Sequence, residues 1–555
     1  MTGTPRLLRL ALRRDRVIMP LWVLGLGLLP YVYATSFQTL FTTAAERVDY
    51  ARISAGNAGF VALYGPLRGD SLGELVVWRG GFVPVMVGLA ALLTVIRHTR
   101  ADEEAGRTEL IRATVTGRFA QLAAALIVTC GAALLTGAIV AVTTIGAGLP
   151  VAGSLAFGAV FTLSGWMFAG VGAVAAQLTG SARSARSIAV LVLGGAYLLR
   201  LVGDISDSAE FLAWVSPIGW VHRVFPYGGG SLLGGGSLVE GGSLVDGGSL
   251  VGGDFLVEGG SLSGNDWRPG VLALVFAIVT VGVSAYLMAH RDMGAGLVAA
   301  RLGPRAAAAS LSSPLALAWR LHRGLLLGWT AGFAALGLIF GAVGSSMVEL
   351  ASDSAGVDEM FTRIGGGGAV TDAYFATTAA MCGLIAACYA VQAALRMRDE
   401  EQSGHAEAVL STSVGRLAWA ASHLLFALLG PAAALLAEGV LAGVVHGAPG
   451  PVLGAALAQL PAVWVLAGVT MLLIGALPRL ASVAWAVIAL CLLLLLAGPL
   501  LEFDQWVLDL SPFTHVPHLP GGAAGPLPLV MLTGIAAVLG VAGLVALRRR
   551  DVGSM

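Results

Sequence analysis

Lysine is absent from this sequence, and charge of either sign is scarce. All 32 basic residues among the 555 are arginine, and charged residues make up only 12% of the chain. The phosphate-binding loop of nucleotide-hydrolysing proteins needs a lysine that reaches the β- and γ-phosphates. This chain therefore lacks that motif, and any dependence on ATP must come from a separate subunit.

Cysteine is also rare, and the histidines are scattered through different loops. The four cysteines fall in different predicted spans without ligand-like spacing, so we expect buried thiols rather than disulfides or a metal site. His515 and His518 lie close in sequence, but no carboxylate cluster stands near them. A hydrolase would need a nucleophile, a base and an acid close together. We expect no catalytic site, no metal site and no cofactor in this chain.

The apolar composition predicts an all-α polytopic membrane protein. Hydrophobic residues make up 57% of the chain and its mean hydropathy is +0.84. A helix that crosses the bilayer needs roughly 20 apolar residues, with every backbone amide bonded internally. About twelve segments qualify. They lie near 17–36, 80–97, 119–146, 153–178, 187–203, 269–289, 324–345, 373–395, 417–445, 451–477, 481–500 and 527–547.

The distribution of arginine predicts the orientation of these spans in a plasma membrane. With the N-terminus in the cytoplasm, most of the 32 arginines lie on the inner side, as the positive-inside rule requires. Both termini are then cytoplasmic. The formal net charge is zero, and nothing in the charge pattern calls for a nucleic-acid partner, so the lipid bilayer is the expected environment.

A charged segment occurs twice. The stretch RADEEAGRTELIRATVTGR at 100–118 aligns without a gap with RDEEQSGHAEAVLSTSVGR at 398–416. The matched residues include Glu103 with Glu401, Gly106 with Gly404, and Glu109 with Glu407. Each copy stands on the predicted cytoplasmic side, between the second and third spans of a group of six.

The duplication extends to the whole chain, which predicts two parallel six-span repeats at 1–300 and 301–555. RDMG at 291–294 returns as RDVG at 550–553, and the Ser-Pro pair at 216–217 returns at 511–512. Six spans preserve orientation, so the halves are related by an axis along the membrane normal. Residues 228–262 form a Gly-Ser-Leu low-complexity tract that the second half lacks. A flexible outer loop is favoured there over a stacked-turn structure or a partner-binding site.

The repeated charged segment is interpreted as a docking element for another protein. Glu103 and Arg107 are spaced i, i+4, which supports a short surface helix, and Gly106 would separate it from the preceding span. A simple solvated loop would explain the arginines. It would not explain acidic residues at matching positions in both halves.

These residues carry a family resemblance. A (D/E)E..G..E.......GR pattern between the second and third of six spans, together with RDMGAG, resembles the type-two ATP-binding cassette (ABC) exporter permeases. Over nearly its full length the chain looks like the actinobacterial exporters of polyketide antibiotics, the tetronasin-resistance type. The Gly-Ser-Leu tract departs from that pattern.

The resemblance implies a permease for amphiphilic drugs or polyketide-like antibiotics, driven by a separate cassette ATPase dimer that binds ATP and Mg²⁺. Glu103, Gly106 and Glu109 would then occupy a groove of one ATPase subunit. Glu401, Gly404 and Glu407 would occupy the groove of the other.

Fewer residues indicate the substrate path and the energy source for transport. A path with few fixed charges suits a small amphiphilic molecule, and we expect Trp166, Met167, Phe168 and Glu438 in its wall. Glu438, in the ninth span, also supports the alternative of a proton-coupled secondary multidrug transporter, since charged groups inside a membrane tend to be functional. A noncatalytic subunit that assembles or regulates another complex is a third possibility.

Overall fold

A computed structural model gives the fold of the protein. It describes residues 3–55, 60–61, 64–113, 115–205, 207–228, 266–292, 294–298, 306, 308–353, 367–501, 504–522 and 525–550. The predicted outer loop at 228–262 lies outside these residues, apart from its first residue.

Every regular element among the described residues is a helix. Twelve helices are long and apolar enough to cross a membrane, which confirms the prediction of an all-α polytopic membrane protein. The chain forms two compact units, Met1–Leu302 and Gly303–Met555, here called unit 1 and unit 2, and half of the candidate spans lie in each. The parallel orientation of two repeats stays a prediction.

The α-helices of unit 1 are numbered in chain order. They are α1 (Thr4–Arg14), α2 (Ile18–Leu40), α3 (Ala44–Ala55), α4 (Leu72–Arg79), α5 (Val83–His98), α6 (Arg100–Glu104), α7 (Arg107–Arg112), α8 (Ala120–Gly146), α9 (Val151–Leu178), α10 (Ala182–Ile205), α11 (Glu210–Val215), α12 (Pro217–His222) and α13 (Arg268–Ala289). A 3₁₀ turn, Asp207–Ala209, precedes α11.

The α-helices of unit 2 continue the numbering. They are α14 (Pro314–Asp353), α15 (Gly367–Gln402), α16 (His405–Leu410), α17 (Arg416–His446), α18 (Pro449–Ala458), α19 (Leu460–Ala476), α20 (Ala484–Leu501), α21 (Gln505–Leu508) and α22 (Pro526–Arg549). The 3₁₀ turns are Ala309–Leu311, Pro478–Val483 and Pro512–His515.

The two units begin differently, and one proline explains the difference. In unit 1 the amphipathic α1 ends at Arg14 and the first span starts anew at Ile18, whereas in unit 2 the corresponding residues form one continuous α14. Pro20 lies in the first turn of α2, where its missing N–H has no helical partner to lose. In the register that matches Trp22 with Trp329, Leu327 stands in the place of Pro20 and leaves the helix uninterrupted.

Small residues let the membrane helices pack closely within each unit. Helix α9 is the centre of unit 1, and its Gly158 faces Gly137 of α8 so closely that a Cβ on either glycine would lie 2.3 Å from the other's carbonyl oxygen. In unit 2, a Cβ on Gly475 of α19 would meet the carbonyl oxygen of Gly543 on α22 at 2.2 Å. Close backbone contact between small residues is a main source of helix association in membranes.

The contact between α8 and α9 generates a stability prediction. Gly137→Ala should lower the thermal midpoint of the detergent-solubilised protein, because the added methyl group must push the Gly158 carbonyl away. Gly131→Ala is the matched control on the same helix, since no atom of the residues that the structure describes lies within 4 Å of its Cβ position. Fluorescence-detected size-exclusion chromatography after heating measures both. Equal midpoints for the two variants would contradict this packing.

Candidate docking segments

Each repeated charged segment folds as a turn of helix on either side of a glycine. In unit 1 the segment forms α6 and α7, joined at Gly106, and in unit 2 the long α15 runs to Gln402 before Gly404 leads into α16. Both glycines have a left-handed backbone, with φ of 70° and 76°. A side chain there would cost about 1 kcal/mol or more. The glycines therefore fix the change of direction between the preceding helix and the short one.

Glu103 is held inside unit 1. Arg291 donates to both of its carboxylate oxygens, at 2.8 and 2.7 Å. The backbone N–H of Gly294 and the guanidinium of Arg100 donate to the same carboxylate at 2.8 and 3.0 Å. The Glu103 side chain is only 11% exposed. Its capacity to accept hydrogen bonds is therefore used within the unit.

Glu401 repeats this arrangement in unit 2. Arg550 donates to one carboxylate oxygen at 2.6 Å, and Arg398 donates to the other at 3.1 Å. The Glu401 side chain is 5% exposed. Both Glu103 and Glu401, expected to contact a partner, are bound by arginines of their own unit, and their contact with a partner stays a prediction. The acidic residues Glu109 and Glu407 of the short helices are exposed.

The arginines opposite these glutamates come from the repeated RD.G motif. Arg291 and Arg550 each lie just beyond the last span of their unit, which ends at Ala289 and Arg549 respectively.

A second pair of arginines also binds the end of the last span. Arg118 donates to the carbonyls of Met288 and Ala289 at 2.9 and 2.7 Å. In unit 2, Arg416 donates to the carbonyl of Arg550 at 2.8 Å. The docking segment is thus tied to the end of the last span, which sequence reasoning missed although the RD.G repeat was visible.

The segment of unit 1 is also tied to α1. Asp102 accepts hydrogen bonds from Arg14 at 2.5 Å and from Arg107 at 2.9 Å. Asp15, just after α1, pairs with Arg97 at 2.9 Å and with His98. Burial raises the pKa of the Asp15 carboxyl, but the hydrogen bond from His98 and the nearby positive charges outweigh burial and leave that pKa below its ordinary value. Asp15 is therefore ionised at neutral pH and holds α1 against α5.

The side chains of the short helices divide into a buried and an exposed set. Thr108 of α7 and Ala406 of α16 are buried, and the next residues, Glu109 and Glu407, are exposed. Gly404 is exposed as well, and Gly106 is half-buried. Each short helix therefore presents one exposed acidic side chain beyond its glycine corner, Glu109 or Glu407, and unit 1 also exposes Glu104 before the corner.

Two of the residues expected in a substrate path are core residues of unit 1. Met167 and Phe168 are fully buried in its main apolar cluster. Trp166 is half-buried, and its indole N–H donates to the Cys130 carbonyl at 3.0 Å. Trp464 makes the equivalent bond to the Leu428 carbonyl in unit 2, also at 3.0 Å, and the sequence analysis did not single it out.

Trp166 lines an open apolar groove between α8, α9 and α13. The groove has a volume of about 420 Å³. Its wall includes Leu134, Leu155 and Leu163 from the first two helices and Val271 and Leu274 from the third. Met167 and Phe168 are not in this wall, because they point into the core on the other side of α9. Such a groove admits an acyl chain or an apolar ring system.

Glu438 is buried in α17 of unit 2. Its Oε2 atom has no hydrogen-bond partner among the described residues, and the same is true of the Oε1 atom of the buried Gln459. The Glu438 carboxyl lies near the Cys382 thiol, and the adjacent Gly383 packs against Gln459. In the register of the charged segments, unit 1 has Val140, Pro84 and Phe161 at these three places. Unit 2 therefore has a polar cluster where unit 1 has apolar core.

The docking segments generate a second stability prediction. Glu103→Gln should lower the free energy of unfolding by about 3 kcal/mol, because it leaves Arg291 and the buried Arg100 without their counter-charge. Glu109→Gln, which changes an exposed carboxylate in the same segment, should be neutral to within about 0.5 kcal/mol.

Urea unfolding in mixed micelles, followed by circular dichroism, compares the two variants. Glu401→Gln, tested beside Glu407→Gln, checks whether the same difference holds in unit 2. If Glu103→Gln and Glu109→Gln unfold at the same urea concentration as the wild type, the inward carboxylate has no structural role.

The sequence matches known membrane transport proteins over nearly all of its length. The family described as "Multidrug efflux system permease Rv1217c, C-terminal domain" matches residues 6–228 and 311–548. The chain is 42% identical over 560 residues to the multidrug efflux system permease protein Rv1217c of Mycobacterium tuberculosis, covering 99% of this chain and 95% of the relative. The family match leaves out 229–310, which includes most of the Gly-Ser-Leu tract.

Proposed function

Because this chain belongs to the multidrug efflux permease family, we propose that it is the membrane-spanning permease of an ABC exporter for amphiphilic drugs. The observation that carries this proposal is the pair of docking segments, each an exposed short helix tied by buried ion pairs to the last span of its unit. A short helix tied in this way suits a transporter that is driven by the movement of a protein bound at the membrane surface.

The energy is supplied by a separate cassette ATPase dimer. The chain has no lysine for a phosphate-binding loop, so ATP and Mg²⁺ are bound by that partner and not by the permease. The permease itself is not an enzyme. It converts closure of the two ATPase subunits into a change in access to the transport path.

The exposed residues of the docking segments are the contact points for the ATPase. Glu109 with Gly106 enters the groove of one ATPase subunit, and Glu407 with Gly404 enters the other. Acidic side chains at the rim of such a contact steer the partner and fix its register against basic residues. The glycine corners bring backbone close to the groove, because no side chain projects from them.

Glu103 and Glu401 have a different role in this mechanism. Their carboxylates join α6 and the end of α15 to Arg291 and Arg550, so a push on the docking helix moves the end of the last span with it. Breaking a buried ion pair costs about 3–5 kcal/mol. The ion pairs of Glu103 and Glu401 therefore stay intact when the docking helix is displaced.

The docking segments face the cytoplasm of a plasma-membrane protein. The arginine-rich α1, both charged segments and the Arg548–Arg550 end all lie on one predicted side, which the positive-inside rule assigns to the cytoplasm. Both termini are then cytoplasmic. This is the side on which ATP and the cassette ATPase are available.

The substrate is a small amphiphilic molecule of the drug or polyketide-antibiotic type, including the tetronasin class. The open groove at Trp166 offers apolar walls and few polar groups, which suits an extended organic molecule and not an ion or a sugar. Trp166 lies where such a molecule would enter from the bilayer. The buried carboxyl group of Glu438 is a candidate partner for a basic group of the substrate.

The docking proposal predicts which charges the ATPase needs. Reversing Glu109 and Glu407 together to arginine should reduce co-purification of the cassette ATPase at least tenfold, because two attractive contacts become repulsive. Asp49→Arg is the control, since Asp49 is an exposed acid of α3, outside the docking segments.

The double variant should keep the wild-type elution volume on size exclusion, because its two carboxylates make no internal ion pair among the described contacts. Full retention of the ATPase by the double variant, with drug-stimulated ATP hydrolysis unchanged, would show that the segments do not dock.

The buried Glu438 is the observation that favours the alternative, a proton-coupled secondary multidrug transporter. In proteoliposomes that contain permease and ATPase, efflux of a fluorescent drug should continue after the proton gradient is collapsed. It should stop when the catalytic glutamate of the ATPase is replaced by glutamine. Glu438→Gln should leave transport of a neutral drug within about twofold of the wild type. Loss of transport on collapsing the gradient, together with loss in Glu438→Gln, would instead establish proton coupling.

A further inference from the structure

Arginines converge at the end of unit 1 that is distant from its docking segment. Helix α10 starts at Ala182, whose N–H donates to Glu104 of the docking segment. Its 24 residues span about 36 Å, so its last turn lies near the other membrane surface. Arg200 and Asp204 lie in that last part of the helix and form an ion pair at 2.6 Å. Both side chains are buried.

Two more guanidinium groups, those of Arg223 and Arg68, lie close to this ion pair. Arg223, which follows α12 and is nearly buried, lies 3.6 Å from Asp204 and 3.7 Å from the exposed Glu210. The Arg68 guanidinium lies over the Phe225 ring at 3.9 Å, and no carboxylate pairs with it among the described residues. This outer arginine cluster, formed by Arg68, Arg200 and Arg223, therefore has more positive charge than Asp204 and Glu210 neutralise.

The titration of neighbouring groups agrees with a positive surplus. Burial and then the Arg223 charge lower the pKa of the Arg68 guanidinium, although Glu210 and Asp204 act in the opposite direction. Burial and then the charges of Arg200 and Arg223 hold the pKa of His222 well below its ordinary value. The neutral His222 also has a buried Nε2 without a hydrogen-bond partner. The cluster therefore has an excess of positive charge that an external anion would neutralise.

The surroundings of the cluster are apolar and aromatic. Trp214 and Tyr197 lie against the guanidiniums of Arg223 and Arg200, each at 5.5 Å. Beside them, large apolar side chains of α10 and α11 are exposed, including Val202, Ile205 and Phe211. Aromatic rings with polar tips beside exposed aliphatic residues are typical of the membrane–water interface. The surface beside the arginines therefore offers apolar contacts to the apolar portion of a ligand.

The position of these charges is unusual for a membrane protein. Arg68, Arg200 and Arg223 lie on the predicted outer side, where the positive-inside rule makes arginine scarce. In the register that matches Ser216-Pro217 with Ser511-Pro512, unit 2 has His518 in the place of Arg223. The cluster therefore belongs to unit 1 and is not a requirement of the repeated fold.

We propose that the outer arginine cluster of unit 1 is a binding site for the oxyanion of an anionic amphiphile, the phosphate of a lipid headgroup or the carboxylate or phosphate of an anionic drug. Arg68 is the residue that meets the anion first, because it reaches solvent and has no carboxylate of its own. Arg223 completes the site from the buried side. Guanidinium groups bind such planar or tetrahedral oxyanions through paired hydrogen bonds.

Native mass spectrometry of the delipidated full-length protein in a neutral detergent tests this site. The protein is titrated with dioleoyl phosphatidylglycerol, dioleoyl phosphatidylcholine and decyl phosphate. Arg68→Gln should weaken binding of an anionic probe about tenfold, since one charged hydrogen-bond contact is lost. Arg68→Lys should recover part of that loss. Arg52→Gln is the matched control, because it removes an exposed arginine from the same predicted side without touching the cluster.

The three probes distinguish the source of the anion. Binding of phosphatidylglycerol that depends on Arg68, with weak and variant-independent binding of phosphatidylcholine, identifies a lipid headgroup site. Binding of decyl phosphate alone that depends on Arg68 identifies a site for a smaller anionic amphiphile. Equal binding of both anionic probes to the wild type, Arg68→Gln and Arg52→Gln would overturn the proposal. The thermal midpoint of Arg68→Gln should match that of Arg52→Gln, because Arg68 forms no ion pair with any residue that the structure describes.

Discussion

The ion pair between Glu103 and Arg291 is the contact on which the organisation of the docking segment depends. These residues are 188 positions apart in sequence, and the equivalent pair of unit 2, Glu401 and Arg550, is separated by 149. Each pair lies where the second span and the last span of a unit reach the same membrane surface. The contact is bidentate in unit 1 and nearly buried in both units, so solvent and salt screen it little.

This constraint determines which parts of the segment can bind another molecule. With Glu103 turned inward, α7 can present only the residues beyond the Gly106 corner. Glu109 is the exposed acid of α7, and Glu104 is the exposed acid before the corner. A docking helix held in this way behaves as an extension of the last span, and not as a loose loop between the second and third. In the proposed mechanism, displacement of the helix is transmitted through the helices behind it and the charge-assisted bonds that join them.

Sequence reasoning predicted the helical spans and the duplicated segments, but not the partners of the charged residues that the two segments share. Apolar runs report span positions directly, because the bilayer requires them. A repeat shows which residues recur and gives no information on their neighbours, so the contact of Glu103 with Arg291 could not be predicted from the sequence. Met167 and Phe168 were expected in the transport path for the same reason. Their helix is apolar on all sides, and periodicity cannot distinguish its core face from a groove face.

The differences between the units say more about transport than their similarities. The Glu–Arg pairs and the Trp–carbonyl bonds occur in both units, so they belong to the fold that the two units share. Glu438 occurs only in unit 2, where unit 1 has Val140, and the outer arginine cluster occurs only in unit 1. Burying a lone carboxylate is costly, and an apolar residue serves packing equally well at the matching position. Under the proposed function, the polar groups that occur in one unit alone are the ones assigned to substrate or ligand binding.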